Sequence, residues 1–218
     1  MAEHLQREIA RLRKMILREG TLVEESLRNA ITALWERDLE LAQLVISKDA
    51  EIDEMEVEVE EECLKALALY QPVASDLRYI IAVLKLNNDL ERIGDLATNI
   101  AERVKRLVTE PVIAIPDLLP RMADTTGAML KLSLDALVES NLETAIRVCD
   151  MDDEIDSYHR DFHQLVADII PTDPKQVFGW LMLLSVSRQL ERAADHCTNI
   201  AEDVQYMIKG KITRHRLG

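Results

Sequence analysis

Aromatic residues make up only 4% of this 218-residue chain, and glycine and proline number six each. So few aromatics leave no stacking platform for single-stranded nucleic acid. So few glycines and prolines leave little to interrupt long helices. The three cysteines, Cys63, Cys149 and Cys197, are odd in number and scattered, with no C-x-x-C pair. That spacing excludes a disulfide framework and a thiolate zinc site. The longest apolar stretches, Tyr79–Leu84 and Trp180–Leu184, fall far short of the ~20 residues of a membrane span. The first residues are charged from Glu3 onward and contain no apolar h-region, which predicts no secretory signal and a cytoplasmic location. Motifs for chemistry are missing too. There is no Gly-rich phosphate loop, no G-x-S-x-G and no H-E-x-x-H. The pair of Glu-x-x-His motifs of a di-iron oxidase is absent, and the nearest match is a single Asp156-x-x-His159. Nothing in the pattern points to nucleophilic or acid–base catalysis.

What the chain does have is negative charge and helical periodicity. Forty acidic residues against 26 basic ones leave a net charge of −14. A surface of that sign repels phosphate backbones and suits cations or basic protein surfaces. Hydrophobic residues form 48% of the chain, enough to bury a core. They recur at three and four, as in Leu5, Ile9, Leu12, Ile16, Val23, Leu27, Ala30 and Leu34, interrupted by one polar turn near Gly20. Leu86, Leu90, Ile93, Ala97, Ile100, Val104 and Leu107 repeat the pattern. The periodicity predicts six helices over residues 3–36, 39–70, 73–108, 117–138, 142–169 and 175–209. Proline marks the breaks, at Pro72, across Pro111–Pro120 and at Pro171–Pro174. Long helices with short connections predict an all-α bundle architecture.

The two halves of the chain resemble each other. LERIGDLATNIAERV at 90–104 aligns with LERAADHCTNIAEDV at 190–204, with ten of fifteen positions identical at an offset of 100. Upstream, Asp49-x-Glu51-Ile52-Asp53 aligns with Asp152-x-Glu154-Ile155-Asp156 at an offset of 103. This is the signature of a tandem duplication of a three-helix unit, divided at Glu110–Pro116 into residues 1–110 and 111–218.

The repeated segments carry acidic stripes. Glu91, Asp95, Thr98 and Glu102 fall at i, i+4, i+7 and i+11 on the third helix, and Glu191, Asp195, Thr198 and Glu202 do so on the sixth. On the second helix Asp49, Asp53, Glu56 and Glu60 form a stripe whose fifth-helix counterpart reads Asp152, Asp156, His159 and His163. Folding helices two and three about Pro72 sets Asp53 level with Glu91 and Asp49 level with Asp95. The stripes then either lean together into one groove or both lean away. If they converge, their like charges favour a bound cation. Oxygen ligands suit magnesium, manganese or iron, and the i, i+4 pair His159 and His163 adds zinc or iron. The alternative is a solvated acidic face. Arg92 and Arg192 beside the stripes either pair with these acids or meet a phosphate-like anion next to a metal. Thr98-Asn99 and Thr198-Asn199 read as hydrogen-bonding groups inside the bundle. The basic tail Lys209–Arg216 reads as a frayed end.

The twice-repeated L-E-R-x-x-D-x-x-T-N-I-A-E, together with the upstream D-x-E-I-D, resembles the PhoU family over essentially the whole chain. The resemblance implies two three-helix bundles related by a pseudo-twofold axis, and a homodimer. It implies a negative regulator of the phosphate-starvation response that also restrains phosphate uptake. Its partners would be the ATPase subunit of the phosphate ABC transporter and the phosphate-sensing histidine kinase, with the membrane reached only through them. It further implies iron or zinc clusters on E(D)-x-x-x-D motifs, here Asp49/Asp53 and Glu91/Asp95, then Asp152/Asp156 and Glu191/Asp195. The copies depart from each other where Asp89 becomes Gln189, Gly94 becomes Ala194 and Leu96 becomes His196, which predicts unequal sites. A metal-free helical adaptor of another phosphate transporter, or a carboxylate-bridged metalloenzyme, are the competing readings.

Overall fold

The computed structural model describes residues 2–172 and 174–210. Its six helices are α1 (Ala2–Glu36), α2 (Leu39–Tyr70), α3 (Ala74–Leu107), α4 (Leu118–Glu139), α5 (Leu142–Ile169) and α6 (Val177–Lys209). Each lies within two residues of the predicted bounds. The expected frayed tail lies, beyond Gly210, outside the described residues.

Local chemistry sets the helix ends. Asp38 caps α2, its Oδ1 accepting from the Leu41 amide at 2.9 Å, and Asn141 caps α5 through the Thr144 amide at 3.1 Å. These two caps occupy the same position in each repeat, and each follows a residue in the left-handed region, Arg37 at φ 54° and Ser140 at φ 51°. A non-glycine residue there costs roughly 1 kcal/mol. At Arg37 the neighbouring contacts offset this, because its guanidinium donates to the carbonyls of Leu107 and Glu110 at 2.6 and 2.7 Å. The α1–α2 turn is thereby tied to the C-terminal end of α3.

Helices α1, α2 and α3 pack on one another, and so do α4, α5 and α6. The two units meet chiefly where α3 lies along α6, with a smaller contact of α1 on α4. Lys85 Nζ reaches Asp203 Oδ1 at 3.1 Å. One hundred residues on, in the mirrored sense, Arg103 Nε donates to Ser185 Oγ at 3.1 Å. Partners advance in opposite directions along the two helices, so α3 and α6 run antiparallel. Because the same positions of the two repeats pair reciprocally, an approximate twofold axis passes between them. One core runs through both units, and it includes Leu12, Ile16, Ile80, Leu86, Leu90, Ile100, Leu119, Met129 and Phe162, each at most 1% exposed.

The polar turn near Gly20 is not a solvated one. Glu19 is fully buried. Gly20 faces α4 so closely that a Cβ there would stand 2.8 Å from Leu134 Cδ1. The second unit covers Gly20, and Glu19 is enclosed on the side of its own unit facing α2 and α3, while Arg18 and Thr21 stay exposed.

Phe162→Ala should lower stability by about 3–5 kcal/mol in urea unfolding, because it empties a fully buried aromatic site. Leu69→Ala, at a residue 62% exposed, should change it by less than about 0.5 kcal/mol.

Candidate functional site

The acidic stripes of α2 and α3 face one another. Thr98 Oγ1 on α3 donates to Asp49 Oδ1 on α2 at 3.0 Å, bridging the two helices at the height set by the Pro72 turn. Burial raises Asp49 above the usual carboxylate range, and the charges of Asp53 and Asp95 add to the rise against the Thr98 hydrogen bond. Glu91 is raised in the same way, first by burial and then by Asp95, with Asp53 and Glu56 contributing from across the groove. Glu56 is raised by burial, Glu60 and Asp53. Of the two arrangements open to the stripes, the structure shows the converging one.

The second unit repeats the groove with different details. Asp152 is pushed up to about 6 by burial, then by Asp195 and Asp156. Its buried Oδ1 has no hydrogen-bond partner. Thr198 donates its hydroxyl to the Ala194 carbonyl at 3.1 Å and, hydrogen-bonded also toward the Asp152 carboxyl on α5, opposes that rise. Asp195 is raised by burial, then by Glu191 and Asp156, with His196 and Arg192 opposing. His159 does not face His163. Its Nδ1 lies 2.6 Å from Ser187 Oγ on α6, while His163 is exposed. Glu102 pairs with Lys105 at 3.0 Å, and Glu202 is half-buried next to Cys149, whose thiol burial holds near 11 with the Glu202 charge adding to the rise.

Arg92 makes ion pairs, to Glu91 at 3.3 Å and Asp95 at 3.3 Å. Its side chain is 53% exposed, so these pairs are worth little in stability. They do lower the charge facing the groove. Among the described residues no three His, Cys, Asp or Glu side chains are gathered closely enough to grip one ion where they stand. The donor set nevertheless suits hard cations: oxygen ligands, mutually raised, with one buried oxygen lacking a partner.

Two of the departures between the repeats have a role away from the grooves. His196 Nδ1 donates to Asp89 Oδ1 at 2.8 Å, and Asn199 Nδ2 reaches the same oxygen at 3.3 Å. Asp89 belongs to α3 and the other two to α6, so this network joins the units. The positions related by the twofold axis are Gln189 and Leu96, both buried, and no such pair forms there. Asp89 and His196, both departures from the repeat, thus touch each other across the two units.

Glu19 is the residue that sequence reasoning passed over. It stands on α1, fully buried, with both carboxyl oxygens unpartnered. Burial pushes it up to about 9, with Glu56 and Glu91 adding to the rise. The signal was the gap it leaves in the α1 seam between Ile16 and Val23, where an apolar residue is due. Asn87, 1% exposed, lies beside this level, its Nδ2 donating to the Glu56 carbonyl at 2.8 Å and its Oδ1 unpartnered.

Six long helices in two like units, each opening an acidic groove between its second and third helix, define a duplicated helical-bundle protein. Comparison with known proteins gives this a family. The PhoU domain model matches residues 16–104 and again 119–204. The phosphate-specific transport system accessory protein PhoU homolog of Clostridium acetobutylicum is 38% identical, covering 94% of each chain. PhoU homolog 1 of Thermotoga maritima is 36% identical over 95% of this chain and 90% of its own. The crystal structure of PhoU from Pseudomonas aeruginosa superposes with a TM-score of 0.91 at 34% identity, covering 94% of this chain and 99% of that one. The phosphate transport system regulatory protein PhoU from Streptococcus pneumoniae gives a TM-score of 0.90 at 30% identity, covering 95% and 98%. The chain belongs to the PhoU family.

A carboxyl raised in the folded state makes stability fall as pH climbs from its unfolded value toward its folded one. For Glu19 that window runs from 4.5 to about 9. In EDTA, Glu19→Gln should match the parent near pH 4.5 and exceed it by roughly 2–4 kcal/mol at pH 8. Urea unfolding at both pH values checks this; a gap independent of pH would mean that Glu19 is not held neutral.

Proposed function

We propose that this chain is an accessory regulator of phosphate transport, acting by binding and not by turnover. The observation that carries the reading is coverage: a relative named as a phosphate-specific transport accessory protein matches 94% of the chain, and the family model matches both repeats. Within that role it restrains phosphate uptake and holds the starvation response off when phosphate is plentiful. It does so as a cytoplasmic homodimer touching the transporter's ATPase subunit and the phosphate-sensing histidine kinase. Long acidic helices support this, since they offer extended surfaces of one sign. Among the described residues no helix is long and apolar enough to cross a membrane, which fits contact with a membrane transporter through its soluble subunit.

The acidic grooves take iron or zinc in this reading. Asp49, Asp53, Glu91 and Asp95 would hold the metal in the first unit, and Asp152, Asp156, Glu191 and Asp195 in the second. Such ions would neutralise repelling carboxylates and cross-link α2 to α3 and α5 to α6. The buried, unpartnered Oδ1 of Asp152 supports a cation there. One observation favours a metal-free adaptor instead: Arg92 already engages Glu91 and Asp95 in the first groove.

Two measurements test the proposal. Deleting the gene in its native host should switch on a phosphate-starvation reporter in high phosphate, and the intact gene should restore repression. An unchanged reporter would sink the regulatory reading. Elemental analysis of protein purified without chelators should find iron or zinc that is lost in the Glu91/Asp95/Glu191/Asp195→Ala variant; equal metal in both would leave the grooves as bare acidic surface.

A further inference from the structure

Glu19 and Asn87 are buried residues that the groove motifs do not include, with Glu56 and Glu91 the two acids whose charges act on Glu19. The four come from all three helices of the first unit: Glu19 from α1, Glu56 from α2, Asn87 and Glu91 from α3. The unpartnered buried atoms here are Glu19 Oε1, Glu19 Oε2 and Asn87 Oδ1. All three are oxygens, and once Glu19 gives up its proton each of them can only accept. Asn87 has spent its amide on the Glu56 carbonyl, which holds its Oδ1 in place. A buried polar atom left without a partner forfeits its hydration with nothing in return, and native cores seldom keep several together. No side-chain donor of the described residues is hydrogen-bonded to any of them. A species that satisfies acceptors from several sides, and that clustered carboxylates attract, is a cation.

The other half of the chain shows what these positions look like when they are filled. The family match begins at 16 and at 119, so Glu19 corresponds to Met122. At the repeat offsets Glu56 corresponds to His159 and Asn87 to Ser187. Met122 and Ser187 are fully buried. Ser187 Oγ points to Met122 Sδ at 3.6 Å and meets His159 Nδ1 at 2.6 Å. None of those atoms is left unpartnered. Three positions on three helices thus differ together between the halves, from an open set of oxygens to a closed and satisfied one.

We infer that the first unit alone carries an interior site for a hard divalent cation, with Glu19 and Asn87 as fixed ligands and Glu56 and Glu91 turning inward to complete it. The two outer glutamates are half-buried and long, and since no three acids grip an ion where they stand, closing the site calls for rotation of these side chains. The site shares Glu91 with the proposed groove metals but does not depend on their presence.

Manganese serves as the probe. Equilibrium dialysis of the full chain at pH 8, read by elemental analysis, should give one more Mn²⁺ per chain for the parent than for Glu19→Met, which installs the second-half residue. Asp53→Asn/Asp95→Asn should keep that ion. Mn²⁺ should raise the melting temperature of the parent and, to the same extent, of Asp53→Asn/Asp95→Asn, but raise that of Glu19→Met less. Without metal Glu19→Met should melt above the parent, which shows that it folds. Equal, non-zero Mn²⁺ in parent and Glu19→Met would overturn this inference and leave the groove reading intact. One ion in the parent and none in Glu19→Met would support it against the groove reading. No Mn²⁺ in either would overturn it, with water or a proton then satisfying Glu19.

Discussion

The pairing of α3 with α6 is the constraint on which the rest depends. Each is the central helix of its own unit, and each must satisfy two neighbours and the other unit at once. Their reciprocal contacts, Lys85 with Asp203 and Arg103 with Ser185, place like positions of the repeat on either side of one axis. Once those two helices are fixed, the remaining faces of α3 and α6 point to α2 and α5, and the acidic grooves follow. The groove carboxylates cannot spread apart to relieve their repulsion, because the apolar seams beside them are locked in the core.

The grooves therefore hold charge in tension. Asp49, Glu56, Glu91, Asp152 and Asp195 are all raised, and burial is the first cause for each. Solvation opposes bringing such groups together, and helix packing insists on it. The conflict can be relieved by a proton, by an arginine such as Arg92 or by a cation. The two units resolve it differently. The first bridges its helices through Thr98 and Asp49 and keeps a neutral acid, Glu19, beneath the groove. The second sends His159 inward to Ser187 and leaves Asp152 with a bare oxygen. Duplication thus supplied two copies of one frame, and later substitutions gave them different interiors.

Most of the architecture was legible in the sequence. Six helices, their ends, the duplication and the matched height of Asp53 with Glu91 follow from period, proline and offset, all of which are local properties. The direction in which the stripes lean was not legible, because the same heptad rotation serves a groove or an outward face until the crossing of α2 and α3 is known. Glu19 was hidden for a related reason: a lone glutamate in a helix reads as surface, and only the packing of α1 on α2 and α3 shows that this one is interior. The pairing of His196 with Asp89 escaped because it joins two repeats, and alignment of the repeats shows only that both positions differ.

By itself, then, the chain's sequence determined an all-helical, duplicated, acidic protein and the residue types in its two motif pairs. Periodicity and repetition are written along one dimension and need no partner to be read. Tertiary structure alone decided which acids converge, which one is sealed from water and which substitutions answer one another across the axis. Those outcomes depend on distances between helices, and burial and charge act through such distances in a way that spacing along the chain does not record.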